Sequence, residues 1–229
     1  MSFLFILILL IIIIIIVGII WWKFIHKGKK LKTIMILGLC EAGKTVLYYQ
    51  LKDGIFVETQ SSMKENETRT IKLKKKNKDE KESEKNKEVH LLDWPGHARL
   101  RGKLDQFYPI LDAIIFVLDS SDTQLETITS TAEFIYQIFT DPKMNMSPIP
   151  FLFACNKSDL YTSYSPSKLK QIIQVEFNRI KDSKTDKIIQ NQKSFNFDKA
   201  KFFNQWVSIS AKDGKIDSVY DFLEKQLNL

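Results

Sequence analysis

A chain of 229 residues with a formal net charge of +7 is long enough for one α/β domain with its own core, plus appendages. The positive balance invites a nucleic-acid reading, but many lysines gather in residues 23–32 and 72–87 and form no aromatic-interleaved patch, so no direct nucleic-acid binding is expected. Two cysteines, Cys40 and Cys155, give no disulfide framework and suit reduced thiols in a cytosolic domain.

The first predicted element is a transmembrane helix. Residues 3–22 are an apolar run with Gly18 as its one weak point. At helical rise such a run spans about 30 Å, the thickness of a bilayer core. Trp21 and Trp22 close it where indole rings prefer the interface. A cleaved signal peptide would show a basic start and a small-residue cleavage pattern, and neither is present. Only Met1 and Ser2 precede the run, whereas Lys23, Lys27, Lys29, Lys30 and Lys32 follow it. Positive residues stay cytoplasmic. Residues 1–22 therefore predict a single-pass anchor with the rest of the chain cytosolic. Residues 23–32 become a basic juxtamembrane linker able to touch anionic head groups.

Residues 33–229 read as one domain. An apolar strand over 34–37 runs into Gly38-Leu39-Cys40-Glu41-Ala42-Gly43-Lys44-Thr45, and a helix begins near Lys44. This is the phosphate-binding pattern G-x-x-x-x-G-K-[ST] between a strand and a helix. Gly38 and Gly43 let the backbone curl its N–H groups toward phosphate oxygens, and the helix adds its positive end. Lys44 can reach the β- and γ-phosphates, and the Thr45 hydroxyl can take one position on Mg²⁺. Asp53-Gly54 is a plausible stop for that helix.

Residues 55–67 are polar and irregular, and 68–73 predict an edge strand. Residues 74–88 are almost entirely Lys, Glu, Asp and Asn, which predicts a charged, disordered loop at the tip of an extended hairpin. A short strand over 89–92 ends in Asp93-Trp94-Pro95-Gly96-His97, with a helical stretch around 100–107. A buried strand over 113–118 precedes a helix over 125–139, whose apolar face is Leu125, Ile128, Ala132, Ile135 and Phe139. The strand over 151–155 leads into Asn156-Lys157-Ser158-Asp159. Ser165-Pro166 caps a helix over 167–180, and 181–205 read as an irregular insertion. The last strand, 206–209, ends in Ser210-Ala211-Lys212, and 217–227 form the closing helix. Such alternation implies a mostly parallel sheet flanked by helices, with ligands beyond the carboxyl ends of the strands. All four loops fall there.

Their chemistry converges on one ligand. The Asp93 carboxylate can hold Mg²⁺, directly or through water, and Gly96 leaves room for its N–H to meet a γ-phosphate. The Asp159 carboxylate can accept from guanine N1–H and N2–H₂ together, a donor pair adenine lacks. Asn156 can tie the loop together and meet the base edge, the Lys157 stem can cover the ring, and Ala211 N–H within Ser210-Ala211-Lys212 can meet the guanine carbonyl. Together these choose GTP over ATP.

Across residues 32–229 the chain resembles the small GTPase superfamily. Within it, the segments at 38–45, 93–101 (Asp-Trp-Pro-Gly-His-Ala-Arg-Leu-Arg) and 154–157, with an N-terminal anchor, resemble the β-subunit family of the signal recognition particle receptor. That resemblance implies an Arf-like GTPase, with GTP or GDP and Mg²⁺ as ligands, fixed in the endoplasmic reticulum membrane. It implies a GTP-dependent hold on the N-terminal domain of the receptor's α subunit, and through it an indirect link to ribosome and translocon. An Arf-like GTPase cycling in vesicle trafficking is the alternative, and a purely structural tether would need a dead site. Two features depart from the family pattern: the length and charge of 74–88, and Trp94 in place of a smaller apolar residue. A hydroxyl near residue 60 would complete the Mg²⁺ shell. Spacing from Lys44 favours Ser62 or Ser61, with Thr59 in reserve. His97 occupies the position where many small GTPases carry a water-orienting glutamine, and its protonation is a condition the glutamine lacks. Weak intrinsic hydrolysis, with the chain acting mainly as a switch, is the expectation.

Overall fold

The computed structural model describes residues 12–13, 15–18, 21, 31–60, 62–76, 82–146, 149–184, 194–200 and 202–227. The chain divides into two units between Leu31 and Lys32. In the first, residues 12–13, 15–18 and 21 are helical. Most of the expected membrane segment, and residues 23–30 of the linker, lie outside the described residues. Among the described residues no helix is long and apolar enough to cross a membrane.

The second unit is built on six strands: β1 (Thr33–Leu37), β2 (Asn66–Lys76), β3 (Glu82–Asp93), β4 (Ala113–Asp119), β5 (Phe151–Asn156) and β6 (Asn204–Ser208). They lie in the order β2-β3-β1-β4-β5-β6, with only the β2–β3 pairing antiparallel. The helices are α1 (Lys44–Asp53), α2 (Ala98–Arg101), α3 (Leu125–Thr140), α4 (Pro142–Met146), α5 (Pro166–Ser183) and α6 (Asp217–Leu227).

Continuous apolar strands arise because both faces of the sheet are covered. Met35, Leu37, Ile114, Phe116, Phe151 and Phe153 point to one layer, with Ile135 and Phe139 of α3 and Ile173 and Phe177 of α5. Their neighbours Ile34, Ile36, Ile115, Val117 and Leu152 point to the other, with Leu47 and Leu51 of α1 and Phe222 and Leu223 of α6. The period-two alternation of the strands thus builds two cores from one sheet. Every residue of both lies after Lys32, so the second unit closes its own core. Aromatic rings dominate the first layer, where Phe153 stacks on Trp206 with centroids 4.1 Å apart. Trp94 is accommodated there too. It packs edge-on to Phe107 and its indole N–H donates to Leu100 O.

The structure differs from four expectations. Residues 74–76 and 82–88 are strand rather than disordered loop, and 77–81 lie outside the described residues. The register sets residue 74 opposite 84 and residue 76 opposite 82, so the charged stretch pairs as a hairpin. Leu125 is 74 % exposed, since it opens α3 before the helix reaches the sheet, while Ile128, Ala132, Ile135 and Phe139 are buried as expected. The insertion at 181–205 is narrower than expected: α5 continues to Ser183, β6 begins at Asn204, and residues 185–193 and 201 lie outside the described residues. The helical stretch after His97 is α2 followed by two 3-10 turns, Leu104–Gln106 and Tyr108–Ile110.

Candidate functional site

The carboxyl ends of β1, β3, β4, β5 and β6 share one edge of the sheet. There the loop from Gly38 to Gly43 turns the chain from β1 into α1. Glu41 has φ 63° and Gly43 has φ 88°, a left-handed bend into the first turn of α1. A Cβ on Gly43 would stand 2.2 Å from Asn156 Nδ2, and one on Gly38 2.2 Å from Val117 O. Both glycines therefore answer to neighbouring strands, β4 and β5, as well as to their own torsions. Gly96 is pressed against the same loop: a Cβ there would lie 2.5 Å from Cys40 N and 2.8 Å from Lys44 Nζ.

Lys44 is buried, and its ammonium donates to Leu39 O at 2.6 Å. Burial lowers its pKa, opposed by the nearby Asp93. Asp93, the last residue of β3, is also buried, and burial raises its pKa against hydrogen bonds from Asn66 and Thr45. Thr45 Oγ1 donates to Asp93 Oδ2 at 2.8 Å, and Asn66 Nδ2 donates to the same oxygen at 3.0 Å. Ser62 Oγ lies 3.1 Å from Thr45 Oγ1. The other carboxylate oxygen, Asp93 Oδ1, is buried with no hydrogen-bond partner.

Two hydroxyls and a buried carboxylate, one of whose oxygens is unpartnered, form an all-oxygen donor set, the kind that suits Mg²⁺. The residues fit the ion. Polyphosphate beside Lys44 and a divalent cation beside Asp93 would each favour the charged form that burial disfavours. Thr59, Ser62, Lys44, Thr45, Pro95 and Gly96 line a cavity of about 240 Å³ at this point. Ser61 lies outside the described residues.

A second cavity, about 220 Å³, opens on the other side of Gly43 and is lined by Phe56, Asn156, Lys157, Asp159, Ala211 and Lys212 among others. Asn156 is its fixed point. Its Nδ2 donates to Ala42 O at 2.9 Å and its Oδ1 accepts from Ala211 N at 2.9 Å, so one buried amide joins the phosphate loop to the loop after β6. Ala211 N–H, expected to face a base carbonyl, is thus spent on Asn156. Asp159 is exposed, with Oδ1 accepting from Ser210 Oγ at 2.8 Å. Lys157 has φ 64° and pairs with Asp119 at the end of β4. Burial pushes the Asp119 carboxyl up, but bonds from Lys157 and Ser121 outweigh it and hold its pKa below the ordinary value.

His97 stands apart from both cavities. It is exposed, its Nδ1 accepts from Arg99 N at 3.3 Å as the cap of α2, and it lines a third, larger cavity of about 350 Å³ between the phosphate loop, α2 and α3. Cys40 is exposed, whereas Cys155 is buried and its thiol is pushed up to about 12.

Several residues here escape sequence reasoning. Asn66 holds Asp93, Asp119 holds Lys157, Ser120 Oγ donates to Asn156 O at 2.5 Å, and Gln50 Nε2 donates to Ala211 O at 2.9 Å. An Asp-Ser pair closing a strand at 119–120 is a signal of sorts. Asn66 and Gln50 carry none.

Comparison with known proteins agrees with the fold. The family model of the signal recognition particle receptor beta subunit matches residues 29–221. The signal recognition particle receptor subunit beta of Rattus norvegicus is 29 % identical over 215 residues, covering 87 % of this chain and 76 % of the rat protein. The solved structure of the mammalian SRP receptor superposes with a TM-score of 0.72 at 29 % identity, covering 85 % of this chain and 99 % of that one. The fold recurs in the SRb-GTP/SRX complex of Chaetomium thermophilum, with a TM-score of 0.69 at 20 % identity over 86 % of this chain and 99 % of that one.

Proposed function

The chain belongs to the signal recognition particle receptor beta subunit family, and from that premise we propose that it is the GTP-dependent, membrane-anchored subunit that holds the receptor's α subunit at the endoplasmic reticulum. The observation that carries the nucleotide reading is the buried, unpartnered Asp93 Oδ1 beside Thr45 and Ser62. A divalent cation would be held by Asp93, Thr45 and Ser62, would give that oxygen a partner, and would supply positive charge to phosphate oxygens. Gly38 to Gly43 then wrap the phosphates, Lys44 meets the β- and γ-oxygens, and Gly96 supplies an N–H to the γ-phosphate. Asp159 reads the base while Asn156 holds its pocket open, and the Lys157 stem covers the ring.

Thr59, Gln60, Ser62, Pro95 and Gly96 line this cavity, so a γ-phosphate orders segments that a partner can read. A solved fungal relative is described as a GTP-bound β chain in complex with SRX, which supports a nucleotide-dependent partner. Hydrolysis is secondary in this reading, because His97 is spent as a helix cap outside the phosphate cavity. The apolar run over 3–22 and the lysines after it support a cytosolic domain on a single-pass anchor.

Calorimetry with the N-terminal domain of the α subunit tests the switch. Tight binding to the GTP-loaded chain and at least tenfold weaker binding to the GDP-loaded chain is the expected result (about 1.4 kcal/mol). Equal affinities refute it in favour of a passive tether, and capture of vesicle-coat factors instead points to trafficking.

A further inference from the structure

Helix α1 serves the phosphate cavity with its first turn, through Lys44 and Thr45. Farther along, its inner face buries Leu47, Tyr48 and Leu51, and among them stands Gln50, only 6 % exposed. A buried amide in apolar surroundings is costly unless its polar atoms are paired. Gln50 finds its partner 161 residues away, where Nε2 donates to Ala211 O at 2.9 Å. A methionine would fill similar space without that bond, so packing alone does not call for an amide here.

The loop that Gln50 meets is closed on itself. Ser210 N donates to Lys215 O at 3.1 Å and Lys215 N to Ser210 O at 2.9 Å, with Gly214 at φ 69° between them. A Cβ on Gly214 would lie 3.6 Å from Gln50 Oε1, so the far side of the loop sits beside the same amide. Ala211 is gripped from both sides, its carbonyl by Gln50 and its N–H by Asn156 Oδ1 at 2.9 Å. Ser210 is buried, and its Oγ donates to Asp159 Oδ1 at 2.8 Å while accepting from Asp213 N at 3.2 Å. Ser158 N donates to Ile209 O at 3.1 Å, which ties down the backbone before Asp159 and leaves the carboxylate to Ser210. A continuous set of contacts thus runs from α1 to that carboxylate: Gln50 to Ala211, Ala211 to its neighbour Ser210, Ser210 to Asp159.

We propose that Gln50 is a positioning residue for base selection, which holds Ala211 and Ser210 so that the Asp159 carboxylate is aimed at a purine carrying both an N1–H and a 2-amino donor. The inference rests on the GTP reading above, in which Asp159 meets those two donors. Hydrogen bonds weaken steeply off axis, so a carboxylate that swings loses its hold on one donor of the pair. Gln50 itself lines neither the phosphate cavity nor the one beside Asp159, so its effect passes through the loop.

Competition between GTP and inosine triphosphate on the full chain in detergent reads this alignment, because inosine lacks only the 2-amino group. The wild type prefers GTP by ~10-fold, the worth of one solvent-exposed bond to a charged acceptor. Q50M keeps the reach of the side chain and removes its donor, and Q50E sets an acceptor against the Ala211 carbonyl. In both, the preference falls below about threefold while affinity for inosine triphosphate moves by less than about threefold. S210A cuts the same set of contacts one step later and lowers the preference as far, which keeps the test decisive if a change at Gln50 prevents folding. Thermal melts establish which variants fold. A support for the fold alone lowers both affinities together and leaves their ratio intact. That parallel loss, or a preference near tenfold in any folded variant of the three, overturns the proposal. A wild-type chain with no preference sinks Asp159 as the base reader and this proposal with it, whereas a wild-type preference that survives the changes at Gln50 sinks only the role of Gln50.

Discussion

Asp159→Asn separates base reading from folding, because the structure makes the change nearly silent to the fold. The side chain is exposed, and an amide can turn its oxygen to keep accepting from Ser210 Oγ at 2.8 Å. Stability should stay within about 0.5 kcal/mol of wild type. Toward guanine the change is severe: an NH₂ donor now faces N1–H and N2–H₂, and two bonds to a charged acceptor are lost. Such bonds are worth about 1.5–3 kcal/mol each. The exposure of Asp159 argues for the lower figure, so ~3 kcal/mol in all, or roughly 150-fold in GTP affinity. Xanthine carries an oxygen where guanine carries its amino group, so the new amide can donate to it. Titration with fluorescent GTP and xanthosine triphosphate, alongside a thermal melt, should show GTP binding weakened and xanthosine triphosphate binding gained at unchanged melting temperature. Loss of GTP without that gain, in a folded protein, would mean that Asp159 is not the base reader.

Asn156→Ala should act through stability instead. It strips partners from the buried Ala42 carbonyl and Ala211 amide, each costing about 1–3 kcal/mol. For a domain of this size the melting temperature should drop by ~10 °C at about 3 °C per kcal/mol, and an unchanged melt would show that water replaces the bracket. Thr45→Val keeps shape but removes the hydroxyl that bonds Asp93 and neighbours Ser62. The gain in GTP affinity on adding Mg²⁺ should shrink at least tenfold (about 1.4 kcal/mol) while affinity in a chelator barely moves. An undiminished Mg²⁺ effect would place the ion elsewhere.

The loops at 38–45, 93–96, 156–159 and 210–212, which the structure gathers at one edge of the sheet, were legible in the sequence because each is marked by neighbouring residues at fixed spacing. Their supports were not. Asn66 lies 27 residues from the Asp93 it holds, and Gln50 lies 161 from Ala211. Such contacts leave no local pattern. The hairpin failed in an instructive way: read along one strand, Lys74 to Glu88 looks too charged to order. The pairing partner of each position lies across the ladder, where only the register can show it. His97 was placed by analogy of position, and its ring accepts from Arg99 N as the cap of α2. The helix over 217–227 was read to its bounds because its apolar period and its packing agree.

The single amide of Asn156 bears on nucleotide kinetics. Both of its bonds end on protein atoms, at Ala42 and Ala211, so neither waits for a ligand to form. The two cavities on either side of Gly43 are thus held at a set separation, and in the nucleotide-binding reading proposed above the ordering cost is met during folding rather than on binding. A preorganised cleft of this kind releases its guest slowly, since departure at one end leaves the other end gripped. Whatever hastens exchange on this chain has a definite lever to pull. It must part Asn156 from one of its two loops, and the nucleotide's two halves then lose their fixed spacing together.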